Sequence, residues 1–120
     1  MKWQAKITNV GTEVIDLIEA SHMFDLVAEG KREDMRDFTV HFSGDLPNAP
    51  ITSGDTLSIG KQDFIVIALG DQFSEHFMDH GACTVEMATG LVPSGPYNMI
   101  IDGSFDDYEF LRKDTMIEVR

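Results

Sequence analysis

The chain has 120 residues, of which 42% are hydrophobic and 25% charged, and its 21 acidic and 9 basic residues give a net charge of -12. This composition predicts one folded domain over 1–120 with a core that needs no disulfide. The negative charge argues against nucleic acid or an anionic membrane as partner. It favours a basic protein partner, although solubility alone is the simpler explanation.

Three further features favour the cytoplasm. Cys83 is the single cysteine, so no disulfide can form within the chain. The longest apolar run, residues 64–69, has the length of a strand and is far shorter than the roughly 20 residues of a membrane span. The N-terminus lacks the apolar segment of a signal peptide.

Strand patterns dominate the chain in sequence order. Alternation and β-branched residues predict strands over residues 3–10, 23–28, 38–43, 55–59, 64–69, 83–87, 97–101 and 115–119. The run 64–69 has β-branched residues on both faces and is expected to be buried on both sides. Many short strands with one or two helical turns predict an all-β fold. A small antiparallel β-barrel, or a barrel-like sandwich, would leave few exposed strand edges.

Two short helices are expected between the strands. Thr12 is placed to cap the first, over residues 13–18, and Ser74 to cap the second, over 75–80. Gly81 is expected to end the second helix, because glycine readily adopts the left-handed conformation found after helix C-termini.

His41 lies in a strand with clean alternation. Phe38, Val40 and Phe42 are predicted to face the core, which places His41 on the opposite, polar face. The charged stretch 31–37 before this strand is expected to be a solvated loop or turn.

The same strand makes His41 a candidate phosphoryl acceptor. One nitrogen of a neutral imidazole can attack phosphorus while the other donates a hydrogen bond that fixes the tautomer. Thr39 and Ser43, two residues away on the same face, are in reach of the second nitrogen or of phosphoryl oxygens. Backbone N–H groups near Gly44 would add phosphate contacts. A half-exposed histidine on a solvated strand explains the pattern more simply, so spacing alone leaves both interpretations open.

The other histidine and cysteine patterns are weaker. His76 and His80 are four residues apart, which places both on one helix face beside Glu75 and Asp79 and gives a possible metal-ligand geometry. The glutamate that directly follows the first histidine in zinc-protease helices is missing, and no metal or other cofactor is predicted. Cys83 lies in an apolar strand and is expected to be a buried, non-catalytic residue.

The blocks around and after His41 resemble a known family. Their order and spacing are similar to those of the glucitol/sorbitol-specific IIA component of the bacterial phosphotransferase system. The likeness covers most of the chain and fades after Gly95. The matching blocks are residues 40–46, 54–60, 64–70 and 73–81.

This resemblance implies a small β-barrel with a phosphohistidine intermediate. The family's acceptor position matches His41, its donor is the HPr phosphocarrier protein, and its acceptor is a cysteine of the sugar-specific IIB component. IIA components generally use Nε2. The sugar alcohol is phosphorylated downstream during transport, so this domain is expected not to bind sorbitol.

One position departs from the family pattern. Family members can carry a second histidine where this chain has Ser43, which offers only a neutral hydrogen bond. The alternative to a phosphocarrier is a non-catalytic β-barrel that serves as a protein-binding or regulatory module.

Overall fold

Eight strands close into one barrel in the computed structural model, which describes residues 1–87 and 90–120. The strands are β1 (Trp3–Val10), β2 (Met23–Ala28), β3 (Thr39–Ser43), β4 (Thr56–Ile59), β5 (Gln62–Leu69), β6 (Ala82–Met87), β7 (Asn98–Ile101) and β8 (Met116–Val119). Two helices, α1 (Val14–Ser21) and α2 (Phe73–His80), and a 3₁₀ segment, Glu33–Phe38, accompany them. The order around the barrel is β1-β3-β2-β6-β7-β5-β4-β8. The predicted all-β barrel is confirmed.

Two neighbouring pairs, β2–β3 and β6–β7, are parallel, whereas the prediction was an antiparallel barrel. Parallel neighbours cannot be joined by a tight turn, so the chain must return to the start of the next strand outside the sheet. Residues 29–38 make this return between β2 and β3. We call this segment the cover, because it lies over the outer face of β3. Residues 31–37 bury no side chain, as predicted for a solvated loop or turn, but from residue 33 onward they form the 3₁₀ segment, which the sequence did not predict.

The helix positions were predicted better than their caps. Neither helix has a side-chain cap hydrogen bond, and the residues at the N-cap positions are Glu13 and Gln72. The predicted caps Thr12 and Ser74 are therefore wrong. Gly81 ends α2 with a φ of 65°, as predicted.

β4 and β5 pair as an antiparallel hairpin, but β5 is not buried on both faces as predicted. Phe64 and Val66 are buried, whereas Ile65 between them is 41% exposed. Each strand of a closed barrel has one face towards the interior and one towards the outside, so a run of apolar residues does not by itself bury both faces.

An aromatic cluster fixes β3 and α2 relative to each other. Trp3 packs edge-on against Phe42 of β3 and Phe77 of α2, with ring centroids 5.0 and 5.1 Å apart. Phe73 stacks on Phe77 and is also fully buried. These contacts hold the buried side of α2 against the barrel and thereby position the opposite side of the helix.

Glu29 holds the cover to the barrel. Its carboxylate accepts hydrogen bonds from the Arg36 guanidinium, at 2.6 Å, and from the Thr8 hydroxyl of β1. Its backbone N–H donates to the carbonyl of Phe42, at 2.7 Å. The bonds from Arg36 and Thr8 lower the pKa of Glu29 below its ordinary value of 4.5. The Glu29 side chain, at the start of the cover, therefore bonds both to Arg36 near the end of the cover and to Thr8 of β1.

Glu29→Gln should make stability less sensitive to acid. A carboxyl group whose pKa is lowered by folding contributes stability above its ordinary pKa, and this contribution disappears as pH falls through the folded-state value. The variant should be less stable than the wild type at pH 7, and the difference in free energy of unfolding should shrink steadily below pH 4.5. Urea denaturation at a series of pH values measures this. Glu33→Gln, which removes only a surface pair with Arg36, is the control. A constant difference across the pH range would contradict the role of Glu29.

Gly11→Ala should test how tightly the cover is packed. A Cβ on Gly11 would lie 2.3 Å from the carbonyl oxygen of Asp37 and 2.5 Å from that of Arg36. Because both are backbone atoms of the cover, the substitution should lower the free energy of unfolding by about 1–3 kcal/mol. A Cβ on Gly90 meets no atom of the described residues within 4 Å, so Gly90→Ala is the control and should change stability by less than about 0.5 kcal/mol. Equal effects of the two substitutions in urea denaturation would contradict tight packing at Gly11.

Candidate functional site

His41 lies on the outer face of β3 but is completely buried. Val40 and Phe42 on either side belong to the hydrophobic core, as alternation predicted. Phe38 does not: it ends the 3₁₀ segment and is 43% exposed. The expectation of a solvated polar face is wrong because the cover shields this part of the strand.

Both ring nitrogens of His41 have hydrogen-bond partners. Nε2 lies 2.8 Å from the backbone carbonyl oxygen of Lys31, and Nδ1 lies 3.1 Å from Oγ1 of Thr39. A carbonyl can only accept, so Nε2 carries the proton and donates it to Lys31. In the neutral ring, Nδ1 then accepts the single proton of the Thr39 hydroxyl, which in that state is not donated to the Met35 carbonyl 3.1 Å away. The structure thus brings Thr39, but also an unpredicted backbone group, to the imidazole.

The other neutral tautomer of His41 is incompatible with this closed arrangement. With the proton on Nδ1, the ring would donate to Oγ1 of Thr39, whose hydroxyl would donate to the Met35 carbonyl 3.1 Å away. Nε2 would then present a lone pair to the Lys31 carbonyl oxygen at 2.8 Å, and two acceptors at that distance repel. In the neutral ring, the Lys31 carbonyl can therefore bond to Nε2 only when the proton is on Nε2 and not on Nδ1.

Ser43 and Gly44, the other predicted site residues, do not supply the ring's partners. Ser43 is exposed at the end of β3. Gly44 has a φ of 134°, and a Cβ there would lie 3.2 Å from the carbonyl oxygen of Gln4 in β1. The neighbouring strand β1 therefore packs closely against Gly44.

A groove of about 670 Å³ lies between the cover and α2. Lys31 and Arg32 line it on one side, and His76 and His80 on the other. The two histidines lie on one face of α2, as predicted, with ring centroids 4.8 Å apart. The ring of His76 stacks on that of Tyr97, with centroids 3.8 Å apart. Sequence reasoning did not predict that this helix face would meet the segment next to His41.

The groove and His41 share one face of the barrel. Val27 of β2 is in register with His41 in β3 and with Ala82 in β6. Residues in register point to the same side of a sheet. Ala82 lines the groove and therefore lies roughly 10 Å, or two strand spacings, from His41.

The remaining candidates give no second reactive centre. Cys83 is buried, as predicted, and burial raises the pKa of its thiol, with a further contribution from the negative charge of Asp25. Among residues 1–87 and 90–120, no group of three or more His, Cys, Asp or Glu side chains is arranged to hold a metal ion.

No helix in the part of the chain that the structure describes is long and apolar enough to cross a membrane.

A solved structure shares this fold. The crystal structure of the PTS system IIA component from Enterococcus faecalis V583 is 17% identical in sequence and has a TM-score of 0.77, covering 97% of this chain and 98% of that chain. At this identity the likeness shows the fold alone. A comparison with curated protein sequences gave no match.

The family model for the "PTS system glucitol/sorbitol-specific IIA component" matches residues 2–113. The match includes the His41 strand, the cover and α2, and it extends well past Gly95, where the resemblance was expected to fade. Because the match spans nearly the whole chain, this protein belongs to the glucitol/sorbitol-specific IIA component family and has a phosphotransfer role in the phosphotransferase system.

Proposed function

We propose that this protein carries a phosphoryl group on His41, which it accepts from HPr and passes to a cysteine of the sugar-specific IIB component. The observation that supports His41 most strongly is its geometry: the strand β3 holds the imidazole, and the Thr39 hydroxyl lies 3.1 Å from Nδ1, where it can orient the ring. Sorbitol itself is phosphorylated downstream, and this relay operates in the cytoplasm without a cofactor.

Nε2 is the proposed attacking nitrogen. Its partner, the Lys31 carbonyl, belongs to an exposed part of the cover, whereas the Nδ1 partner, Thr39, is buried in β3. Moving the Lys31 peptide is easier than moving a buried strand residue. Gly30 and Arg32 on either side of Lys31 have φ values of 88° and 50°. The left-handed conformation costs a residue such as Arg32 roughly 1 kcal/mol or more, so movement of this peptide can release strain.

The transfer begins with a change of tautomer. When the Lys31 peptide withdraws, the Nε2 proton passes to water and a proton from water binds Nδ1, which then donates to Thr39. The free lone pair of Nε2 forms a bond to phosphorus as the bond between phosphorus and the donor's imidazole breaks, and the donor's nitrogen keeps that electron pair. Transfer to the IIB cysteine repeats the exchange, with thiolate sulfur as nucleophile and Nε2 as leaving group. Because such transition states are loose, the protein contributes mainly by positioning and charge stabilisation.

A non-catalytic binding or regulatory module remains the second candidate. The complete burial of His41 favours it, because an imidazole with both nitrogens engaged cannot attack without movement of the cover.

His41→Gln should abolish phosphorylation and leave the fold intact. The glutamine amide can donate to the Lys31 carbonyl but cannot form phosphohistidine. We expect wild type, incubated with phosphoenolpyruvate, enzyme I and HPr, to be labelled, with the phosphoryl group on Nε2 of His41 by NMR and mass mapping. No label is expected on the variant. His22→Gln, at an exposed histidine after α1, is the control and should label normally. Labelling of His41→Gln would place the acceptor elsewhere. An unlabelled wild type that still binds HPr would support the second candidate.

Thr39→Val should slow phosphorylation without abolishing it. The substitution keeps the shape of the side chain and removes the hydroxyl that orients Nδ1, at 3.1 Å. A hydrogen bond to a group that becomes charged contributes about 1.5 kcal/mol, so the rate should fall roughly tenfold. Quenching the reaction with phosphorylated HPr at a series of times measures the rate. Thr39→Ser, which keeps the hydroxyl, should retain most of the wild-type rate. Thr56→Val in β4 is the matched control. An unchanged rate in Thr39→Val would contradict the orienting role.

A further inference from the structure

The groove beside the cover carries positive charge on a chain that is otherwise strongly acidic. Lys31 and Arg32 both line it, and neither makes an ion pair with the residues that the structure describes. Lys2, Arg36 and Arg120 pair with carboxylates. The other basic residues, Lys6, Lys61, Arg112 and Lys113, are also in no ion pair among the described residues, but they do not line this groove. With 21 acidic and 9 basic residues in the chain, two unpaired cations that face one cavity point to an anionic occupant.

The opposite wall offers a neutral donor, His76. Burial and the neighbouring His80 lower the pKa of His76, so its ring is neutral at pH 7 and can donate without adding charge. The nearest carboxylates of α2, Glu75 and Asp79, line a separate pocket of about 160 Å³ that shares the two histidines. Asp25 and Arg32 together line a third, smaller pocket of about 60 Å³. No carboxylate lines the groove itself among the described residues.

Lys31 belongs both to the groove and to the contact with the nitrogen that we propose as nucleophile. Its carbonyl bonds Nε2 of His41, while the side chain of the same residue lines the groove. Ala82 in the groove lies on the same barrel face, roughly two strand spacings from His41. Withdrawal of this one peptide would therefore connect the groove to Nε2. A volume of about 670 Å³ is large enough for a phosphorylated imidazole side chain.

We propose that this groove holds the phosphohistidine side chain of the donor protein, with Arg32 binding two phosphoryl oxygens and Lys31 offsetting their charge as phosphorus reaches Nε2 of His41. The planar guanidinium suits a bidentate contact with phosphate, whereas an ammonium acts as a point charge. This inference rests on the proposed function and assigns the anion-binding residues of the same transfer, in which the phosphorus–nitrogen bond of the donor breaks as the new one forms.

Transfer rates from phosphorylated HPr test the role of Arg32. Arg32→Gln should slow labelling of His41 at least tenfold, and Arg32→Lys should recover part of the rate, because it keeps the charge but not the bidentate geometry. Arg112→Gln is the matched control: it removes one exposed arginine elsewhere and makes the same change in net charge. It should keep the wild-type rate. Equal rates for Arg32→Gln and wild type, or equal slowing in both glutamine variants, would overturn the proposal.

Binding of inorganic phosphate tests the anion site without any transfer. We expect titration of the wild type to give saturable NMR shifts of the backbone amides of residues 30–32, with at least tenfold weaker binding in Arg32→Gln. If the wild type is never labelled at His41 but phosphate binds in this way, the proposed function fails and the anion site stands. If His41 is labelled but phosphate shifts are absent or unchanged in Arg32→Gln, the anion site fails and the phosphocarrier function stands.

Discussion

A hydrogen bond from Nε2 of His41 to the backbone carbonyl of Lys31 ties the cover to the strand beneath it. The cover exists because β2 and β3 are parallel neighbours, so the connection between them has to cross the outside of the barrel. That crossing buries a histidine on a face that would otherwise meet water. The bond then satisfies a polar group whose burial without a partner would be costly, and it also occupies the nitrogen that a phosphoryl acceptor needs.

The site therefore couples protonation to shape. One tautomer of His41 lets the Lys31 peptide close on the ring, and the other sets two acceptors against each other. Thr39 can serve both states, since its hydroxyl proton can point to Nδ1 or to the Met35 carbonyl. The energy difference between closed and open arrangements is then a balance of a few hydrogen bonds and the strained Arg32 backbone, which a docking partner can readily shift.

Charge is distributed to suit such a partner. The chain as a whole carries a net charge of -12, which favours encounter with a basic protein surface. The groove next to His41 has the opposite character, because Lys31 and Arg32 face it without carboxylate partners among the described residues. Long-range attraction between proteins and local binding of a phosphoryl group thus use different parts of the surface.

Sequence alone determined the elements and the family. The alternation of apolar and polar residues predicted β1 and β2 and predicted that Val40 and Phe42 face the core. It could do so because side-chain direction in a strand follows from local backbone geometry. The blocks around His41 identified the glucitol/sorbitol IIA family, which the family model confirms over residues 2–113. Only the tertiary structure decided what covers His41. Alternation shows which face a residue occupies but not what packs on that face, and Lys31 acts through a backbone carbonyl that every residue possesses. The groove likewise needs Arg32 and His76, which are distant in the chain and meet only when the barrel closes.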